Sequence, residues 1–207
     1  GTTKVNAGQL FPHELVAKYI NACGLDDLIE GQWREIVLKT KTMGYFSNSL
    51  VVCDVSGSMM MSQKSPLPIN VAIALGLLIS EITQPPYNNH MITFSETPQF
   101  IQVSGDNLLT RIKQTQKMPW GGNTNLQAVF DLLLTSAIYH KLGPDEFPDR
   151  LFILSDMQFD EACRSNKRTN FEETKRKFAK YGYIMPQIVF WNLNGNYNDF
   201  PVSIDEQ

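Results

Sequence analysis

Three short runs constrain the fold of this chain more than anything else in it. They are Ser49-Leu-Val-Val-Cys-Asp54, Leu151-Phe-Ile-Leu154 and Ile188-Val-Phe-Trp191. Each is apolar without alternation, as expected of a strand covered on both faces, and such strands belong to parallel sheets. A parallel sheet needs crossovers, and helical patterns lie between the runs. Residues 69–83 are apolar almost all round and read as a buried helix, stopped by Pro85-Pro86. Helix 126–141 places Leu126, Val129, Phe130, Leu133, Leu134, Ala137 and Ile138 on its inner face. Residues 170–181 read as a charged helix whose Phe171 and Phe178 turn inward.

Two further strands are expected at His90–Phe94 and Gln99–Val103. Only four residues separate them, too few for a crossover helix, so they form an antiparallel hairpin. A helix around Asn107–Thr115 follows. The fold class expected is α/β: a doubly wound, mostly parallel sheet with one antiparallel edge hairpin and helices on both faces. Residues 48–207 form this domain. Residues 1–47 read as an N-terminal helical extension, with one helix after Pro12 and short helical pieces at 25–29 and 33–37.

Composition excludes some functions. The net charge is −3, which supplies no basic field for nucleic acid. Cys23, Cys53 and Cys163 are odd in number and far apart, so neither a disulfide framework nor a zinc site is expected. No apolar run has the length of a membrane span, and residues 1–30 lack the apolar stretch of a signal peptide. The expectation is an intracellular, cytoplasmic domain without a membrane partner.

Three polar stretches sit where ligand groups collect in such sheets, at strand ends and helix starts. These are Asp54-Val-Ser-Gly-Ser58 after the first run, Gly121-Gly-Asn-Thr-Asn125 before helix 126–141, and Ser155-Asp156 after the second run. Each residue alone has a plainer reading: Asp54 as a cap, Ser56 and Ser58 as turn formers, Thr124 as an N-cap, Asp156 as a loop carboxylate. Together and in this order they resemble the metal-ion-dependent adhesion site of the von Willebrand factor A superfamily, over Asn48 to Trp191. The pattern there is Asp-x-Ser-x-Ser, a Thr in a Gly-rich loop, and an Asp after the next parallel strand.

More narrowly, Val51-Val-Cys-Asp-Val-Ser-Gly-Ser-Met59, Gly-Gly-Asn-Thr-Asn125 and Leu154-Ser-Asp-Met-Gln-Phe-Asp160 resemble a von Willebrand A family of eukaryotes and large DNA viruses. That family is related to the module of the Ro ribonucleoprotein autoantigens. The resemblance implies a further strand and helix after Trp191, for which the polar residues 192–207 give no pattern.

The same resemblance implies that Ser56, Ser58 and Thr124 bind a cation directly. Asp54 and Asp156 would hold its waters and supply charge. Hydroxyl and carboxylate oxygens suit Mg²⁺ or Mn²⁺, and no His or Cys accompanies them. Two carboxylates against three neutral hydroxyls leave the ion electrophilic, open to an outside oxygen. The function expected is a protein-binding module that captures an exposed Asp or Glu of a partner, not an enzyme.

Two alternatives stand beside it: a component of a ribonucleoprotein-like assembly, and a Mg²⁺-dependent hydrolase. RNA binding by this fragment alone is not expected. Ser56 fails the Gly-x-Ser-x-Gly nucleophile pattern, Gly121-Gly122 is no P-loop, and His13, His90 and His140 lie in separate elements. Basic clusters at Lys39–Lys41, Arg164–Arg168 and Lys175–Lys177, and the acidic pair Asp160-Glu161, read as solvated surface. Met59–Met61 and Trp120 either pack or form a rim around the ion.

Overall fold

The computed structural model describes residues 10–61, 66–119, 124–156 and 167–194. Its elements in chain order are α1 (Pro12–Ile20), α2 (Asp27–Met43), β1 (Ser49–Asp54), α3 (Pro68–Ile82), β2 (His90–Phe94), β3 (Phe100–Gln102), α4 (Leu108–Thr115), α5 (Leu126–His140), β4 (Arg150–Ser155), α6 (Lys167–Lys180) and β5 (Gln187–Asn192). A 3-10 turn at Gly57–Met60 follows β1, and another at Pro144–Glu146 precedes β4.

The five strands form one sheet in the order β3-β2-β1-β4-β5. β1 pairs in parallel with β2 and β4, and β4 pairs in parallel with β5. Only β2 and β3 are antiparallel, with Met91 opposite Ile101. Strand order therefore reverses at β1: the chain moves outward through β2 and β3, then crosses back to β4. In open α/β sheets the crevice at such a reversal, beyond the carboxyl ends of the strands, is where ligands bind.

Alternation along β1 and β4 divides the interior into two halves. Val51, Cys53, Phe152 and Leu154 join α1, α2, α3 and α4 on one face. Leu50, Val52, Leu151 and Ile153 join α5 and α6 on the other, with Phe130, Phe147 and Phe178 in edge-to-face ring contacts. The sheet is thus covered on both sides, which explains why its central strands carry no polar alternation.

The expected fold class holds, and several local expectations need correction. Residues 25–29 and 33–37 are not separate pieces: α2 runs unbroken from Asp27 to Met43, with Asp26 as N-cap and Gly44 in the left-handed region (φ 72°) as the stop. α3 ends at Ile82, before the two prolines. There the Thr83 hydroxyl turns to β1, donating to the Ser49 carbonyl at 2.7 Å and accepting from its N–H at 3.2 Å. The outer hairpin strand is shorter than expected, Phe100–Gln102. Ile138 lies toward solvent, while its neighbours Leu134 and Ala137 are buried.

The N-terminal helices are part of the packed interior. Leu15, Val16, Tyr19 and Trp33 are buried against α3 and α4. Trp33 Nε1 donates to Glu81 of α3 at 2.9 Å, and Arg111 of α4 pairs with the same carboxylate at 2.8 Å. Among the described residues no helix is long and apolar enough to cross a membrane.

Candidate functional site

β1 delivers Asp54 to the carboxyl edge of the sheet, and the chain then turns at once. Asp54 Oδ1 accepts the Ser56 backbone N–H at 2.9 Å, which closes a local turn of the kind Asp favours. Met59 is fully buried in the interior beside α3 and anchors the following 3-10 turn. Between these two fixed points the Ser56 and Ser58 hydroxyls face each other, Oγ to Oγ 3.0 Å. Met60 and Met61 continue outward into solvent, so one methionine of the triplet packs and two lie exposed beside the turn.

β4 delivers a second carboxylate to the same edge. Asp54 and Asp156 are both completely buried. Burial is the main cause that pushes the Asp54 carboxyl above its ordinary range, and the nearby charge of Asp156 adds to it. Hydrogen bonds from Ser155 and Ser56 oppose the shift without cancelling it. Two acidic side chains kept close together and away from water are costly unless something positive or protic compensates.

Thr124 reaches the same edge by another route. Asn125 caps α5 through its side chain, which accepts the Ala128 N–H at 3.0 Å. The Asn125 backbone N–H donates to the Ser95 carbonyl at 3.2 Å, just past the end of β2. Since Phe94 stands beside Asp54 in the sheet, this bond holds Thr124, itself buried, at the carboxyl end of β1 and β2. The N-terminus of α5, with its partial positive charge, opens at the same edge.

Asp54, Ser56 and Ser58 are therefore joined by direct contacts. The charge of Asp156 acts on Asp54, and Thr124 lies at the same end of the sheet. Trp120, Gly121, Gly122, Asn123, Asp160, Glu161, Cys163 and Arg164 lie outside the described residues. The histidines sit elsewhere. His90 opens β2 at the opposite sheet end, bonded through Nδ1 to the Asn88 carbonyl, while His13 stacks on Phe11 and His140 meets Tyr139. Of the basic clusters, Lys177 pairs with Asp131 at 2.5 Å across α5 and α6, a surface contact.

One residue of these stretches was given no role by sequence reasoning. The Ser155 hydroxyl, fully buried at the end of β4, donates to Asp54 Oδ2 at 2.5 Å. The available signal was a hydroxyl closing an otherwise apolar strand, next to a strand ending in Asp.

The match to known families agrees with the span of the sheet: a family model described as a domain of unknown function, DUF7788, covers residues 48–207. The chain belongs to that family. The chain is also similar to the uncharacterized protein L728 of Acanthamoeba polyphaga mimivirus, 45% identical over 193 residues. That alignment covers 93% of this chain and 33% of the viral protein, so the chain spans about a third of its relative's length. Among solved structures, the Ro (RSR) protein of Deinococcus radiodurans superposes with a TM-score of 0.48 at 14% identity, covering 93% of this chain and 39% of that one.

Proposed function

We propose that this DUF7788 chain is a von Willebrand factor A-like binding module. In this reading it holds Mg²⁺ or Mn²⁺ at the carboxyl edge of its sheet and uses the ion to capture an acidic group of a partner protein. The observation that carries this reading is the pair of hydroxyls of Ser56 and Ser58, 3.0 Å apart, beside two completely buried carboxylates at the switch point of the sheet. A positive ion would compensate the buried carboxylates of Asp54 and Asp156 and oppose the upward shift of Asp54.

The donor set fits a hard cation. Among the described residues no three His, Cys, Asp or Glu side chains group as a metal site, so a shell built on these residues would be completed by hydroxyls and waters. That composition suits an ion that prefers about six oxygens and parts with water reluctantly. Ser56, Ser58 and Thr124 would touch the ion, and Asp54 and Asp156 would hold its waters. Two negative charges leave a divalent ion able to accept one more anionic oxygen from outside. A binding role is favoured over hydrolysis because all three imidazoles of the chain lie in other places, leaving no such base beside the ion.

Titration calorimetry with Mg²⁺ and Mn²⁺ tests the reading. The wild-type chain is expected to bind one ion saturably, and Asp54→Ala to lose that binding while keeping its fold by circular dichroism. Equal binding by the two proteins overturns the assignment. Recovery of partners from extract with and without chelator then tests the second half: a partner retained only with the ion, and lost when its acidic residues are neutralised, is the expected result.

A further inference from the structure

Ser155 follows Leu154 in β4, and Asp54 follows Cys53 in β1; Cys53 and Leu154 are register partners in the parallel pair. The two side chains therefore end neighbouring strands side by side. Both continue the alternation that sends Val52 and Ile153 toward α5, so they emerge on the face where Thr124 and the start of α5 lie. The Ser155 hydroxyl donates to Asp54 Oδ2 at 2.5 Å, and the Ser56 N–H donates to Oδ1 at 2.9 Å. Each oxygen of the carboxylate is thus engaged by a donor from a different segment, Oδ1 from the turn after β1 and Oδ2 from the end of β4. Rotation of the carboxylate about its own axis would break both bonds.

We propose that Ser155 is a positioning residue for the cation site, fixing the Asp54 carboxylate so that its remaining lone pairs are presented to the ion's water shell. The inference rests on the reading that a divalent cation binds here, and it adds to that reading a sixth residue outside the expected ligand set. The backbone supports the role: the Ser155 carbonyl accepts the Leu193 N–H at 2.8 Å, and Asn192 pairs with Ser155 in β5. Ser155 is thus held in the sheet on its own account, and its hydroxyl transmits that rigidity to Asp54. Groups that orient a metal's inner partners in this way commonly set affinity by ten- to a hundredfold.

A residue that merely satisfies a buried carboxylate would move stability and metal affinity together. A positioning residue separates them. In the 207-residue chain, Ser155→Ala is expected to weaken Mn²⁺ binding by about 10-fold or more in titration calorimetry. Ser155→Thr keeps the hydroxyl but adds a methyl group at a fully buried position. It is expected to lower the melting temperature yet keep Mn²⁺ affinity within about threefold of wild type. If Ser155→Ala does not fold, Ser155→Cys preserves the volume with a much weaker donor and is expected to lose affinity.

Wild-type affinity in Ser155→Ala, or in Ser155→Cys where that variant is used, overturns the inference and leaves the cation site standing. A loss in Ser155→Thr as large as in the alanine variant overturns it as well. No saturable Mn²⁺ binding by the wild-type chain removes the cation site itself, and the inference with it.

Discussion

Gly76 in α3 faces Cys53 in β1 so closely that a Cβ on Gly76 would stand 2.6 Å from the Cys53 Sγ and 3.3 Å from the Met91 Cε. The helix that follows the candidate site is seated directly on the strand that carries it. The Cys53 thiol fills the space a side chain would need, and its Sγ–H points toward the Ala72 carbonyl at 3.6 Å.

Gly76→Ala should therefore destabilise the protein, although alanine is the better helix former by about 1 kcal/mol. Overpacking in a closed interior costs about 1–3 kcal/mol and outweighs that gain. The expected net loss is up to about 2 kcal/mol in urea denaturation. With Cys53→Ala in the background the clash disappears and Gly76→Ala should become neutral or stabilising. A double-mutant cycle without coupling between the two positions would show that the contact is not tight.

The same burial governs thiol chemistry. Burial pushes the Cys53 thiol up to about 12, and the neighbouring charge of Asp54 adds to the shift. Cys23 is exposed. Alkylation at pH 8 followed by peptide mapping should label Cys23 quickly and leave Cys53 untouched until the protein unfolds. Comparable labelling of both under native conditions would contradict the packing. Because the folded thiol titrates later than the ordinary value near 9, its contribution to stability fades as pH rises from 9 toward 12.

Removing the N-terminal helices should unmake the domain even though the family match starts at residue 48. Leu15, Val16, Tyr19 and Trp33 cover α3 and α4, and Glu30 of α2 caps α4 by accepting the Leu108 and Leu109 N–H groups at 2.9 and 3.3 Å. A chain of residues 48–207 is expected to be aggregated by size exclusion and to lack a cooperative melt. Trp33→Ala in the intact chain should cost about 3–5 kcal/mol. A monomeric, cooperatively melting 48–207 fragment would place the N-terminal helices outside the folding unit.

These helices also show where the sequence could be read and where it could not. β1 and β4 were legible because a strand buried on both faces needs only local chemistry to be recognised. β5 was found by its apolar run, but it is an edge strand that buries Ile188 and leaves Trp191 exposed, not the doubly covered strand expected. α2 was divided at Glu30-Gly31-Gln32, whose polar character breaks the apolar stripe. Glu30 and Gln32 are nevertheless buried, and Glu30 owes its place to α4, 78 residues ahead. No window along the chain contains that partner. Ser155 escaped for the same reason: its role depends on Asp54, 101 residues earlier. Asp54, Ser56 and Ser58 were legible because their spacing is itself the turn.

Asp54 is expected to lower the stability of the cation-free protein. Its carboxyl is raised by burial, so on increasing pH the unfolded chain releases this proton first. This group's contribution is thus most favourable below the ordinary carboxylate range and is lost as pH rises through the raised folded value. Asp54→Asn removes the buried ionisable group and keeps an oxygen for the Ser56 N–H. Its melting temperature without divalent ions should exceed that of wild type, measured by calorimetry in chelator. A lower melting temperature for Asp54→Asn at every pH would mean that the carboxylate is stabilised by its neighbours alone.

Adding the ion should reverse that order. An ion that binds only the folded chain stabilises it by about 2.7 kcal/mol at a free concentration of a hundred times Kd. For a chain of this size that corresponds to a rise of about 5–10 °C in melting temperature. Wild type in Mn²⁺ should therefore melt above Asp54→Asn, whose melting temperature should not respond to the ion. The gain should shrink as pH falls into the range where Asp54 takes up its proton, because a neutral carboxyl no longer attracts the cation's waters. An increase of equal size in both proteins, or one that persists unchanged at low pH, would assign the stabilisation to ions bound elsewhere on the acidic surface.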